Sequence, residues 1–110
     1  MSHIDARRSK LRPGAAQEYR RFHASIPESL AASLRYAGVL TWEIWIDGHT
    51  LFHRVETVAG YDAMVRRAAE LEPAHEDWQH VIDALLSSAP GDDVMLPLVW
   101  TMDHEGQGTR

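Results

Sequence analysis

The sequence predicts an α+β domain in which an antiparallel sheet carries helices on one face. Two stretches rich in β-branched and aromatic residues flank Asp47-Gly48, a dipeptide that favours the turn of a β-hairpin. Segments whose apolar residues recur every three or four positions lie before and after this hairpin. At 110 residues, with 45% hydrophobic and 25% charged residues, the chain has the size and composition of one globular domain.

A strand and then a helix are predicted at the start of the chain. His3 to Leu11 alternate weakly between apolar and polar residues, as a short strand does. Pro13 suits the first position of a helix, because its missing N–H has no partner there in any case. Ala15, Tyr19, Phe22 and Ile26 then recur at helical spacing.

A second helical piece is expected after Pro27, which removes a backbone hydrogen bond and bends or restarts the first helix. Ser25 and Glu28 match the Ser-x-x-Glu capping box of a helix start, and Gly38 is expected to end that helix. His23 would then lie at the joint, where the positive end of the second helix favours a neutral imidazole.

The rest of the sequence predicts three more strands and two more helices. They are strands at Val39–Ile46 and Thr50–Val58, helices at Tyr61–Leu71 and Ala74–Leu86 with Pro73 between them, and a last strand at Val94–Met102. Trp100 lies in the apolar row of that last strand and is expected in the core. The order β-α-β-β-α-α-β indicates a ferredoxin-like fold. We predict one domain over residues 1–103 and a flexible C-terminal tail over 104–110.

Charge and cysteine content exclude several classes of partner. The formal net charge is −5, which disfavours nucleic acid because duplex binding leaves a basic footprint. Disulfides and Cys-type zinc sites are excluded, since the chain has no cysteine. No apolar run approaches the roughly 18 residues of a membrane span, and Met1 to Arg12 is polar rather than signal-like. We therefore expect a cytoplasmic protein without membrane or nucleic-acid partners.

A sheet with helices on one side leaves its other face to water. Pairing with a second copy is the simplest way to cover an apolar sheet face. The fold class therefore predicts a homodimer, which light scattering can test.

Tyr19 and His23 are the first candidates for chemistry. Their separation of four positions places the two side chains on one side of a helix, about 6 Å apart at Cβ. An imidazole gives or takes a proton near neutral pH, and a phenol donates or accepts a hydrogen bond. Packing and capping are the alternative roles for such a pair.

Two other residue groups admit a functional and a structural interpretation. The four tryptophans, Trp42, Trp45, Trp78 and Trp100, could stack on sugar rings or fill the core. Arg8, Lys10 and Arg12 share one face of the first predicted strand and could meet an anionic ligand group or form exposed salt bridges. No metal site is expected, because His49 and His53 would lie roughly 13 Å apart along a strand.

An ordered series of residues resembles the L-rhamnose mutarotase family over about 90 residues. The series runs Glu18-Tyr19-Arg20-Arg21-Phe22-His23, Pro27-Glu28, Ile44-Trp45-Ile46-Asp47, Leu51-Phe52, Val55-Glu56 and Trp78. That family has a ferredoxin-like fold that forms a dimeric α/β barrel, and it interconverts the α and β anomers of a free sugar without metal or organic cofactor. The resemblance implies His23 as the acid/base residue and Tyr19 as a catalytic substrate contact.

The resemblance also implies three sugar contacts, Trp42, Asp77 and Trp78, by their positions in the series. Mutarotation needs a base and an acid; His23 would be one, with Tyr19, Asp77 or a water as the other. The sequence departs from the family pattern at two places. The family has an apolar first strand where this sequence has Arg7-Arg8-Ser9-Lys10, and the family has two tryptophans in a helix, the first of which is replaced here by Asp77. These changes fit L-rhamnose or a related sugar, including an acidic one.

We therefore predict a cofactor-free and metal-free sugar mutarotase, an isomerase of carbohydrate metabolism. A cofactor-free monooxygenase of the same dimeric barrel type is the second enzymatic hypothesis. A non-catalytic sugar-binding dimer, in which Trp42 and Trp78 bind while His23 takes no part in chemistry, is the third.

Overall fold

Four helices and six strands make up the part of the chain that the structure describes, which is residues 2–71 and 76–109 of a computed structural model. In chain order these elements are β1 (His3–Lys10), α1 (Ala16–His23), α2 (Glu28–Ala37), β2 (Val39–Asp47), β3 (Thr50–Thr57), α3 (Tyr61–Glu70), α4 (Glu76–Leu85), β4 (Val94–Leu96), β5 (Trp100–Asp103) and β6 (Gly106–Thr109). The expected break at Pro73 and helix start at Ala74 lie outside the described residues. None of the described helices is long and apolar enough to cross a membrane.

Strands β1 to β4 form one antiparallel sheet in the order β2-β3-β1-β4. The central strand β1 pairs along its whole length with β3 and, at its other edge, with β4. The sheet order and the helical connections are those of a ferredoxin-like α+β domain. The predicted fold class is therefore confirmed.

Two clusters of buried side chains show that all four helices cover the same face of the sheet. Leu51 of β3 packs with Tyr19 of α1 and Ile82 of α4. Val55, four residues further along β3, packs with Ala37 of α2 and Met64 of α3. Since side chains alternate along a strand, Leu51 and Val55 point to one face, and both are almost fully buried.

Glycines end α2 and turn the hairpin as predicted. Gly38 has φ 115° in the left-handed region, and its N–H donates to the carbonyls of Arg35 and Leu34. Gly48 has φ 59°, which glycine adopts without the steric penalty of a Cβ, and it joins the paired residues Asp47 and Thr50.

The capping box predicted at Ser25 and Glu28 is wrong. Helix α2 begins at Glu28, its N-cap is Pro27 in an extended conformation, and no side chain caps it. Pro27 holds its φ near −55° and so fixes the entry of the chain into the helix without a side-chain hydrogen bond.

The last predicted strand, Val94–Met102, is interrupted. Strand β4 ends at Leu96 and is followed by Pro97, which has no N–H to continue a ladder. The chain then forms a separate hairpin of β5 and β6. Trp100 is consequently 49% exposed rather than in the core, and its indole N–H donates to Gln107 at 2.9 Å. The residues expected to form a flexible tail include strand β6, and flexibility there stays a prediction.

The face of the sheet opposite the helices carries both apolar and charged side chains. Trp45 and Phe52 are direct partners across β2 and β3, and they are 53% and 38% exposed. Arg54 and Glu43 form an ion pair on the same face. The expected apolar face is therefore mixed, and the predicted homodimer stays a prediction.

Candidate active site

A cavity of about 640 Å³ opens between the helices and the face of the sheet that they cover. Four of the five site residues predicted from the sequence line it, namely Tyr19, His23, Trp42 and Trp78. The fifth, Asp77, is exposed on α4 and is not among the lining residues. The volume is within the range of small-molecule sites, so the predicted residues converge where a ligand fits.

His23 is held between two aromatic rings at the end of α1. Its imidazole stacks on the phenol ring of Tyr19 with centroids 4.1 Å apart, and it meets the edge of Trp78 at 5.1 Å. Its Nδ1 lies 3.2 Å from the carbonyl oxygen of Tyr19, one helical turn earlier. A carbonyl only accepts, so Nδ1 carries the proton. In the neutral ring the Nε2 lone pair remains, and the described residues give Nε2 no partner.

Burial favours the neutral form of both members of this stack. Desolvation lowers the pKa of His23 from its usual value of 6.5, although the hydrogen bond to Tyr19 opposes the shift. The direction agrees with the neutral ring expected from the sequence, and burial of the ring is its largest cause. Desolvation also raises the pKa of Tyr19 to about 12. The site therefore holds a neutral imidazole base beside a protonated phenol at neutral pH.

A second imidazole, His53 of β3, also lines the cavity, although the sequence suggests only a metal ligand there and argues against it. The indole N–H of Trp42 donates to its Nδ1 at 3.2 Å. Because an indole only donates, Nδ1 is unprotonated and the neutral ring carries its proton on Nε2. That N–H donates to the hydroxyl oxygen of Ser9 at 3.0 Å. Burial first, and then the charges of Arg7 and His23, lower the pKa of His53 to about 4.

Arg7 completes a group that we call the polar wall, made of Arg7, Ser9 and His53. Arg7 and His53 are direct partners across β1 and β3, and Arg7 Nη2 lies 3.4 Å from His53 Nε2. The other guanidinium nitrogen, Nη1, donates to the hydroxyl of Tyr61 at 2.6 Å. The polar wall therefore combines one permanent cation with a buried neutral imidazole and a hydroxyl.

Arg8, Lys10 and Arg12 lie outside the cavity lining. Alternation along β1 places Arg8 and Lys10 on the uncovered face, since their partner positions on β3 alternate with buried Leu51. Arg12 lies beyond β1 and donates to the carbonyl of Leu86. Of the two interpretations left open for these residues, the contact with an anionic ligand group finds no support, because none of the three lines the cavity; Arg7 is the arginine that does.

Apolar side chains form the remaining walls of the cavity. They are supplied by the segment after α1, by α2 and by α4: Ile26, Leu30, Leu34 and Ile82. Such a surface receives the C–H face of a ring compound, while the polar groups orient its hydroxyls. Within residues 2–71 and 76–109, no three His, Asp or Glu side chains converge closely enough to hold a metal ion.

Fold and cavity together define a ferredoxin-like domain with a cavity of small-molecule size beside a neutral imidazole. The family described as L-rhamnose mutarotase matches residues 6–102. A curated L-rhamnose mutarotase of Verminephrobacter eiseniae is 37% identical over 96 residues, which cover 80% of this chain and 83% of that protein. The L-rhamnose mutarotase of Burkholderia orbicola strain MC0-3 is 33% identical over 89 residues, with coverages of 79% and 84%.

The chain belongs to the L-rhamnose mutarotase family, as the residue series predicts. A crystal structure of the L-rhamnose mutarotase from Formosa agariphila has the same fold, with a TM-score of 0.70 at 24% identity. The similarity covers 92% of this chain and 99% of that one.

Proposed function

We propose that this protein is a sugar mutarotase that interconverts the α and β anomers of a free monosaccharide, L-rhamnose or a related sugar. The observation that carries the proposal is the state of His23. Its ring is neutral, its Nδ1–H is occupied by the Tyr19 carbonyl, and its Nε2 lone pair is available in a cavity of sugar size. Family membership supports the same conclusion.

Ring opening begins when His23 Nε2 takes the proton of the anomeric hydroxyl. The bond between C1 and the ring oxygen then breaks, and that oxygen takes a proton from the Tyr19 hydroxyl or from a water that it holds. Rotation about the C1–C2 bond turns the other face of the aldehyde toward the chain, and the reverse proton transfers close the ring. Because the same reaction proceeds in water, general acid/base assistance of roughly 10²- to 10⁴-fold is sufficient.

Trp42 and Trp78 take the sugar ring in this proposal. The N–H of Trp42 is used by His53, so its ring rather than its N–H is available to the ligand. Trp78 meets the edge of His23 and places an aromatic surface next to the base. The proposal does not use the sugar contact expected from Asp77, because that side chain is exposed outside the cavity lining of this chain.

The activity is tested by NMR saturation transfer between the anomer signals of a panel of aldoses, with a protein-free blank. We expect the protein to accelerate exchange for at least one aldose. Oxygen consumption with a polycyclic phenol would support the monooxygenase hypothesis instead, and ligand-dependent tryptophan fluorescence without anomer exchange would support the binding dimer. No structural observation favours either alternative over the mutarotase.

We also infer a homodimer located in the cytoplasm. The uncovered sheet face presents Trp45 and Phe52, and the chain after β4 presents Val99 and Met102, which are 74% and 65% exposed. A second copy that covers both surfaces would close the predicted dimeric barrel. Light scattering should give twice the mass of one chain, and a monomer at micromolar concentration would contradict the inference.

A further inference from the structure

The polar wall offers hydrogen-bond donors to the cavity. Because His53 Nε2–H donates to the Ser9 oxygen at 3.0 Å, the hydrogen of the Ser9 hydroxyl must find another acceptor. None of the described residues accepts it, although Ser9 is only 3% exposed. Since Ser9 lines the cavity, this hydrogen is available to a ligand.

Arg7 brings a positive charge that the described protein groups compensate poorly. Asp93 is the one described carboxylate within ion-pair distance, at 3.4 Å from Nε, and its side chain is 60% exposed against 21% for Arg7. The geometry there does not make a hydrogen bond, and the buried Nε has no acceptor among the described residues. An exposed ion pair contributes little, so the positive charge of the guanidinium is left largely uncompensated by the described protein groups.

The wall also contains a direct mismatch between donors. Arg7 Nη2 faces His53 Nε2 at 3.4 Å, but the proton that Trp42 directs onto Nε2 prevents this nitrogen from accepting. His53 cannot relieve the mismatch by changing tautomer, because Nδ1 is committed to the indole N–H. An acceptor-rich ligand group in front of Arg7 and Ser9 would satisfy both donors at once.

We propose that the polar wall binds the carboxylate of an acidic sugar, so that the site acts on hexuronates in preference to neutral aldoses. This inference rests on the proposed mutarotase function and names its substrate class. A planar carboxylate matches the fork of a guanidinium, and a hydrogen bond to a charged acceptor is about twice as strong as a neutral one. One arginine and one hydroxyl suit a monoanionic carboxylate better than a phosphate dianion.

The arrangement of the cavity is compatible with the reaction. The carboxylate of a hexuronate is attached at C5 and the anomeric hydroxyl at C1, so the two groups flank the ring oxygen. Arg7 and Ser9 lie on β1, while His23 lies on α1 across the same cavity. A ring bound between them directs its carboxylate to the sheet and its hemiacetal to the imidazole.

The test compares two sugars that differ only at C6, galactose and galacturonate, and adds galactose 6-phosphate. Saturation transfer gives the exchange rate that the full chain adds for each sugar, and saturation-transfer difference NMR gives binding independently of catalysis. We expect the enzymatic rate for galacturonate at subsaturating sugar to exceed that for galactose by about 10- to 100-fold. Faster exchange of galactose, or of the 6-phosphate, would overturn the inference.

Two variants of Arg7 test whether the polar wall causes the preference for galacturonate over galactose. Arg7→Met should reduce the ratio of the two rates to near one, and Arg7→Lys should keep only part of it, because lysine retains the charge without the fork. Arg54→Met removes an equal charge from the uncovered face and should keep the wild-type ratio. A wild-type ratio in both Arg7 variants would overturn the inference, with circular dichroism confirming that each variant folds.

The binding measurement separates this inference from the function on which it rests. If no aldose is accelerated but galacturonate binds and Arg7→Met abolishes that binding, the mutarotase proposal fails while the carboxylate site stands. If galactose is accelerated but galacturonate neither binds nor reacts, the mutarotase proposal stands and the carboxylate site fails.

Discussion

The imidazole of His23 stacks on the phenol ring of Tyr19, with ring centroids 4.1 Å apart and planes 26° from parallel. The same pair shares a side-chain-to-backbone hydrogen bond, since His23 Nδ1–H donates to the backbone carbonyl of Tyr19. Helical spacing brings the two rings together, and the hydrogen bond fixes which imidazole nitrogen is left to act as a base. One turn of α1 therefore supplies a base and a hydroxyl donor in fixed relative positions.

Tyr19→Phe keeps the stack and removes the hydroxyl. We expect the enzymatic exchange rate to fall about tenfold, because the ring oxygen of the sugar loses a hydrogen-bond donor while the protein keeps its packing. Tyr36→Phe is the matched control, since Tyr36 is 64% exposed and should change the rate little. An unchanged rate in Tyr19→Phe would assign the proton to another donor.

The rate should depend on pH through His23. The neutral ring is the base, so the enzymatic rate should be level near neutral pH and fall on acidification, with an apparent pKa below 6.5 because burial lowers the pKa of His23. His53 adds no competing titration near pH 6.5, because burial, the charge of Arg7 and the charge of a protonated His23 lower its pKa to about 4. The profile is measured by saturation transfer with the protein-free rate subtracted at each pH. An enzymatic rate that increases as the pH falls below 6.5 would contradict this role.

His53 should make the stability of the fold depend on pH. Its folded-state pKa of about 4 lies below the usual 6.5, so the unfolded chain binds the extra proton between these values and stability falls as the pH decreases from 6.5 to 4. The full difference is roughly 3 kcal/mol in the free energy of unfolding. Urea unfolding at several pH values should show that the free energy of unfolding of His53→Gln depends less steeply on pH between 4 and 6.5 than that of the wild type.

The matched control for that slope is His104→Gln, because the His104 side chain is 89% exposed in the hairpin after β4. Carboxylates titrate in the same range in every variant, so the comparison of slopes isolates His53. Equal slopes in wild type and His53→Gln would show that the buried imidazole does not govern acid stability.

Neighbouring residues on α4 should differ sharply in their effect on sugar binding. Trp78 lines the cavity, so Trp78→Leu should raise the KM for the sugar about tenfold through loss of the aromatic surface. Asp77 is exposed outside the lining, and Asp77→Asn should change KM less than about twofold. The dependence of exchange rate on sugar concentration gives both values. A larger effect from Asp77→Asn would place that carboxylate in the site, for instance across a subunit interface.

Local signals in the sequence were sufficient for much of the fold. Asp47-Gly48 predicted the hairpin, and Gly38 predicted the end of α2, because each reflects the backbone of a few adjacent residues. Tyr19 and His23 could be paired for the same reason, since their contact lies within one helix. Pro97 could have predicted the break in the last strand, but the alternation of apolar residues before and after it indicated one continuous strand.

The polar wall was not predicted, because it depends on strand register. Arg7 and His53 are 46 residues apart and meet only through the pairing of β1 with β3. The available signal was alternation: His53 lies between Leu51 and Val55 on the buried face, which identifies it as a histidine in the interior. The same alternation distinguishes Arg7 from Arg8, but the weak pattern of the first strand does not show which face is covered.

The most direct test of the account is anomer exchange by wild type and His23→Gln, measured side by side by saturation transfer with the best aldose of the panel. Glutamine keeps a polar side chain of similar size but cannot take the anomeric proton. We predict that His23→Gln, folded by circular dichroism, loses roughly 10²- to 10⁴-fold of the enzymatic rate and approaches the protein-free blank. Wild-type exchange in that variant would contradict the assignment of His23 as the base.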